Sequence, residues 1–201
     1  MTQQRQVALV IGSLRAGSFN RKVARAIEKL APEHLVFHET GIGDLPLYNE
    51  DREQDAPAEW TAFRDAIRPL DALLFVTPEY NRSIPGVLKN AIDVGSRPYG
   101  RSVWAKKPGA VISASIGTYG GFGANHHLRQ SCVFLDVPMM PQPEAYLSAV
   151  KDEMFAPDGT LSDQRMKKLL VRFMTAYADW IEKLVRGPGE LAEDSKGKPA
   201  A

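Results

Sequence analysis

Three stretches of the chain are almost wholly apolar, and each empties into a loop crowded with glycine, proline, serine or asparagine. Val7-Ala8-Leu9-Val10-Ile11 runs into Gly12-Ser13-Leu14-Arg15-Ala16-Gly17-Ser18-Phe19-Asn20. Asp71 to Thr77 runs into Pro78-Glu79-Tyr80-Asn81-Arg82-Ser83-Ile84-Pro85-Gly86, and Ala110 to Ser115 into Gly117-Thr118-Tyr119-Gly120-Gly121-Phe122-Gly123. A strand without polar alternation is buried on both faces, as in a parallel sheet with helices on either side. Helical patterns do follow the loops, at three- and four-residue spacing: Val23, Ala24, Ile27 and Leu30; Leu88 and Ile92; Leu128, Cys132 and Leu135.

The remaining segments complete the alternation. Leu35–Glu39 reads as a second strand, followed by an irregular segment from Thr40 to Asp55 and a short helix carrying Trp60, Phe63 and Ile67 between Pro57 and Pro69. A fifth strand is expected around Val137-Pro138-Met139-Met140, at a sheet edge because proline cannot donate to the ladder. Thr160 and Asp163 suggest the cap of a last helix, whose stripe is Met166, Leu169, Leu170, Phe173, Tyr177, Trp180, Ile181 and Leu184. Five strands alternating with five helices, joined by right-handed crossovers, predict an α/β doubly wound five-stranded parallel sheet. One domain is expected over residues 1–186, with a flexible polar tail over 187–201.

Bulk properties exclude several classes. A net charge of +1 over 201 residues gives no overall pull toward nucleic acid. No run is apolar enough to span a membrane and the start lacks a signal-peptide core, so a cytoplasmic protein is expected. Cys132 has no partner for a disulfide and reads as a small core residue on a helix. His126 and His127 are adjacent, so on a helix they point about 100° apart and cannot chelate together; no metal site is expected. A phosphorelay receiver needs carboxylates after the first strand, and a cysteine phosphatase needs a thiol there; this loop has neither.

The charges of that loop are unusual. Arg5, Arg15, Arg21, Lys22 and Arg25 fall between Arg5 and Ile27 with no carboxylate among them. A helix start favours acidic residues, so cations there imply an external anion, read as a phosphate monoester. Ser18 and Gly17 would equally suit a plain capped turn. The loop matches neither the dinucleotide fingerprint nor the NTPase phosphate loop. In a doubly wound sheet the three loops converge beyond the carboxyl ends of the strands. The two later loops offer main-chain amides, single aromatics and few ionisable groups, which suits a flat uncharged ring. A phosphate at one end and a planar heterocycle at the other describe a mononucleotide, and FMN fits best.

Gly12-Ser13-Leu14-Arg15 with Ser18 and Asn20, Pro78-Glu79-Tyr80-Asn81 with Pro85 to Asp93, and Gly117 to Gly121 together resemble the NADPH-dependent FMN reductase family, in its chromate and quinone reductase branch. The resemblance runs from about Val7 to Leu184. It implies a flavodoxin-like fold, noncovalent FMN, NAD(P)H as donor, and quinones, free flavin, azo compounds or chromate as acceptors, commonly in a homodimer or homotetramer. By position, Ser13, Arg15, Ser18 and Asn20 would hold the phosphate, with main chain from Leu14 and Phe19. Pro78, Glu79, Tyr80, Asn81 and Arg82 would line the ring, and Ser115 and Gly117 would close its other side. Arg82 and Val94 depart from aromatic positions of many relatives, and a cation at Arg82 or Arg101 would favour anionic acceptors. No side chain is expected as catalytic acid or base, because hydride chemistry resides in the cofactor. The rival reading is an electron-carrier flavodoxin without dehydrogenase activity; carriers of that sort tend to be strongly acidic, whereas this chain is near neutral.

Overall fold

The computed structural model describes residues 3–185; the expected tail at 187–201 lies outside them. Strands β1 (Arg5–Ile11), β2 (Leu35–Glu39), β3 (Ala72–Thr77), β4 (Gly109–Ala114) and β5 (Ala145–Leu147) form one sheet of order β2-β1-β3-β4-β5. Every pairing is parallel, with Leu9 opposite Leu74 and Phe75 opposite Val111 at the centre. Strand alternation splits the apolar runs between two cores. Val7, Leu9, Leu74 and Ile112 face helices α1 (Phe19–Leu30) and α5 (Gln164–Val185). Ala8, Val10, Leu73 and Val111 face α2 (Ala58–Ile67), α3 (Gly86–Gly95) and α4 (Phe122–Phe134). Two buried side chains therefore replace one buried and one solvated at each step, which is why these strands show no polar alternation.

Two expectations about the last third are corrected. The fifth strand lies at Ala145–Leu147, not at Val137–Met140. The earlier segment does meet the sheet, but only as a bridge between Met139 and Gly109, where Gly109 N donates to Pro138 O and Met140 N donates to Gly109 O. A side chain at Gly109 would stand 2.6 Å from the Met139 sulfur, so glycine at this position is what lets the Met139 side chain pack against the edge. The chain leaves the edge through Pro141 and Pro143, then pairs Ala145 with Ile112. At the start of α5, Asp163 Oδ1 accepts from Met166 N at 2.7 Å, as a cap should. Thr160 does not share that role; it is tied into a turn by the Asp158 carboxylate. Below the cap, Met166, Leu170, Phe173, Tyr177 and Ile181 are buried as the stripe predicts, while Leu184 is exposed.

Helix α5 is also joined to the sheet through charge. Arg5 is buried at the start of β1 and makes a two-pronged bond to Glu182 at 2.7 and 2.9 Å. On the other face Trp104 lies against Gly95, donates Nε1–H to Ile92 O at 2.9 Å and packs beside Phe63 and Phe75. Among the described residues no helix is long and apolar enough to cross a membrane.

Candidate functional site

The loop after β1 begins with a close approach. A side chain on Gly12 would stand 2.8 Å from Thr77 Oγ1, so the first strand can pass the end of β3 here only as glycine. Ser13, Ser18 and Asn20 are buried, whereas Leu14, Arg15, Ala16 and Gly17 form an exposed arch. Ser18 caps α1 by accepting from Arg21 N at 3.4 Å. Arg15 folds over the arch, donating to Gly17 O at 2.6 Å with its guanidinium 5.6 Å from the Phe19 ring centre. Leu14 reaches across to Gly43, on the loop after β2. Asn20 donates to Ala114 O at 3.3 Å, which ties the helix start to the end of β4, and its Oδ1 is buried with no protein partner.

The cations at this helix start are mostly neutralised from within, which corrects the charge argument. Arg21 and Arg25 both pair with Glu39, at the end of β2, Arg25 also with Glu28, and Lys22 pairs with Asp152. Carboxylates distant in sequence are brought beside the helix by the β1–β2 pairing and by the segment after β5, a juxtaposition no linear reading could contain. Arg15 alone of the cations from Arg5 to Arg25 has no carboxylate partner among the described residues. The case for an anion therefore narrows to Arg15, the buried hydroxyls and the open amide oxygen of Asn20.

The loop after β3 is a tight turn. Tyr80 and Ser83 exchange main-chain hydrogen bonds at 2.9 Å, and Asn81 and Arg82 between them have φ of 51° and 65°. That left-handed pair leaves both side chains exposed and sets the Arg82 carbonyl against Gly123 in the first turn of α4. Thr77 donates to Pro78 O at 2.9 Å at the turn's entrance. Glu79, near the start of this loop, makes an ion pair and also reaches the next helix. Its Oε2 accepts from Ala124 N, in the first turn of α4, at 3.1 Å, while Arg82 Nη1 stands 3.7 Å from its Oε1. Arg82 also lies over Tyr119, 5.4 Å from the ring centre, so the second and third loops touch through a cation and an aromatic face.

The loop after β4 is held from beneath by a buried relay. Arg129 Nε donates to Asn125 Oδ1 at 3.0 Å, Asn125 Nδ2 to Ser113 Oγ at 3.3 Å, and Ser113 Oγ–H to Gly120 O at 2.7 Å. Gly120 and Gly121 have φ of 60° and 78°, and a side chain on Gly120 would strike the Tyr146 backbone. From the other side, Ser115 N donates to Leu147 O, Ala149 N to Gly117 O and Val150 N to Ser115 O. Ser115 Oγ accepts from Gly117 N at 3.0 Å. Leu14, Tyr80, Ile116, Tyr119 and Phe122 are exposed around the three loops, giving the edge an apolar mouth.

Ser13, Arg15, Ser18, Glu79, Tyr80, Asn81, Arg82, Ser115 and Gly117 thus lie on three adjacent loops beyond β1, β3 and β4, with Asn20 in the first turn of α1. Val94 does not join them: it is fully buried in α3. Arg101 follows the carboxyl end of α3, and ten residues of helix carry the chain about 15 Å back along the sheet. The helical role of Cys132 holds, with burial pushing its thiol up to about 12. His126 and His127 diverge, one to the Tyr146 hydroxyl and the other to Ser83 Oγ, both at 2.9 Å. No cluster of three metal-ligating side chains occurs among the described residues. The side-chain role of Glu79 and the relay through Asn125 and Arg129 escaped the sequence; the only trace was the lack of an acidic or hydroxyl cap before Phe122.

The arrangement can take an anion against the first loop and a flat ring between the other two. Comparison with known proteins bears on which ring. The family model for NADPH-dependent FMN reductase matches residues 5–152. A quinone reductase of Pseudomonas putida is 58% identical over 183 residues, covering 90% of this chain and 97% of that protein. A 2-hydroxy-1,4-benzoquinone reductase of a Burkholderia species is 47% identical over 176 residues, covering 88% and 96%. The solved structure of FerB, a flavoenzyme NAD(P)H:(acceptor) oxidoreductase from Paracoccus denitrificans, superposes with a TM-score of 0.85 at 44% identity, covering 90% of this chain and 98% of that one.

Proposed function

The chain belongs to the NADPH-dependent FMN reductase family, and on that premise we propose that it is an NAD(P)H-dependent quinone reductase holding FMN noncovalently in the three-loop site. Free flavin, azo compounds and chromate are further acceptors, and the protein acts in the cytoplasm. The observation that carries the cofactor reading is Asn20, whose buried Oδ1 lacks a protein partner at the start of α1. A buried acceptor left open costs about 1–3 kcal/mol, and a cofactor carrying hydroxyl groups offsets that cost. The unpaired Arg15 and the hydroxyls of Ser13 and Ser18 supply the donors for a phosphate, with main chain from Leu14 and Phe19. The donor set fits the group.

When bound, FMN supplies a ring that accepts hydride from NAD(P)H and passes electrons to the acceptor. The chain's own residues place that ring. Main chain from Pro78 to Arg82 lines it on one side, and Ser115 with Gly117 closes the other. Tyr80, Tyr119 and Ile116 form an apolar mouth suited to flat acceptors. Arg82 stands at that mouth as an exposed cation and favours acceptors that carry negative charge. Oligomerisation as a homodimer or homotetramer is part of this reading. A groove of about 780 Å³ between α3 and α4, with Phe134 exposed at its rim, supports it.

The absorption spectrum of the purified protein, followed by NADPH without oxygen, tests the reading. A flavin band that bleaches without any partner protein supports a reductase; a band that persists returns the chain to the electron-carrier class. Arg15→Ala should weaken FMN binding about tenfold, or about 1.4 kcal/mol. Arg21→Ala, whose charge Glu39 already satisfies, should change it less than about threefold, or about 0.6 kcal/mol. Equal effects from the two variants would remove the phosphate assignment of the first loop.

A further inference from the structure

Helix α4 has thirteen residues and begins without a side-chain cap of its own. Its N-cap is Gly121, its first turn contains no acidic residue, and its positive end points toward the mouth where the second and third loops meet. The missing partner comes from another element. Glu79 Oε2 accepts from Ala124 N at 3.1 Å, and the side chain is only 14% exposed. The fit leaves no slack, since a side chain at Gly123 would stand 2.7 Å from Arg82 O and 2.9 Å from Glu79 Oε2. Beyond the carboxylate come Arg82 Nη1 at 3.7 Å and then the ring of Tyr119. Helix end, carboxylate, guanidinium and aromatic face therefore follow one another across the gap between the two ring loops.

From this juxtaposition we infer that Glu79 is a positioning residue acting through α4: its carboxylate clamps the loop after β3 to that helix and supplies the negative charge the helix start lacks, so setting the field at the ring end of the site. The inference rests on FMN occupying that site. Removing the charge while keeping the acceptor separates the two effects, because the amide of glutamine can still accept from Ala124 N. A negative charge beside a ring that becomes more electron-rich on reduction opposes reduction, so neutralising it favours the reduced form.

The experiment uses the full chain in three versions: wild type, Glu79→Gln and Glu79→Ala. Amide hydrogen exchange at Ala124 is followed in FMN-free protein, and the flavin midpoint potential in protein loaded with FMN. In Glu79→Gln, exchange at Ala124 stays within about threefold of wild type. The flavin reduction equilibrium of that variant moves about tenfold toward the reduced form, about 30 mV upward for a two-electron couple. In Glu79→Ala, exchange at Ala124 accelerates at least tenfold. Unchanged exchange in Glu79→Ala overturns the clamp, and an unchanged potential in Glu79→Gln overturns the charge role. A wild-type protein that takes up no FMN overturns the cofactor reading itself, an outcome visible before either variant is made.

Discussion

Replacing Asn125 by alanine cuts the relay under the Gly-rich loop at its middle. The side chain is completely buried and accepts from the Arg129 guanidinium at 3.0 Å, a bond with a charged donor worth about 1.5–3 kcal/mol. Its longer bond to Ser113 Oγ, at 3.3 Å, adds about 0.5–1 kcal/mol. Arg129 would keep only its bond to Met140 O, because its Nη2 already lacks a partner. The expected loss is about 2–4 kcal/mol, or a fall in Tm of roughly 5–12 °C for a chain of this size. Chemical denaturation of the FMN-free protein measures the loss, and fluorescence titration with FMN reads its effect at the site. Ser113→Ala removes the last link, the bond to Gly120 O. If the relay acts as a unit, Asn125→Ala and Ser113→Ala together cost less than their sum by at least about 0.5 kcal/mol. Additive losses, with FMN affinity untouched in both single variants, would refute the reasoning.

Gly123→Ala should cost about 1–3 kcal/mol, because the added methyl meets the Arg82 carbonyl at 2.7 Å and backbone must give way; urea unfolding checks it, and a change below about 0.5 kcal/mol would show that the two loops are not pressed together. Tyr177 is fully buried, donates to Leu73 O at 2.7 Å, and burial holds its hydroxyl well above the usual tyrosine value of 10.0. Its contribution is complete below pH 10 and is lost as pH rises through the folded-state value, since only the unfolded chain ionises in that window. Tyr177→Phe should therefore cost about 1–2 kcal/mol at neutral pH. It should also make the alkaline decline shallower by up to about 1.4 kcal/mol per pH unit; parallel declines would count against the assignment.

The sheet was legible because Val7–Ile11, Ala72–Thr77 and Gly109–Ala114 are each buried on both faces, a condition that leaves its mark on every residue. The edge was not. Val137 to Met140 and Ala145 to Leu147 are both apolar and both meet β4, the first at a single bridge and the second as a ladder, and no local pattern in the sequence separates the two. At the site, the loops could be read because their glycines, prolines and buried hydroxyls are local features. The electrostatics could not. Glu39 and Asp152 neutralise cations far from them in sequence, and Glu79 caps a helix that begins 43 positions later, at Phe122. Ion pairs and caps between distant segments depend on topology, and a run of cations without nearby acids is no measure of unbalanced charge until the sheet is assembled.

The main-chain bonds from Ser115 and Gly117 to Leu147, Ala149 and Val150 have a consequence for how the chain can be divided. Every group assigned to the cofactor precedes Thr118, yet part of the scaffolding of the third loop comes from the polypeptide after Glu144, and the face of the first strand is roofed in part by a helix that starts only at Gln164. An amino-terminal fragment would thus carry all the contact chemistry and lack the architecture that aims it. Insertions between the fourth strand and the fifth would displace the segment whose main chain holds the third loop in place.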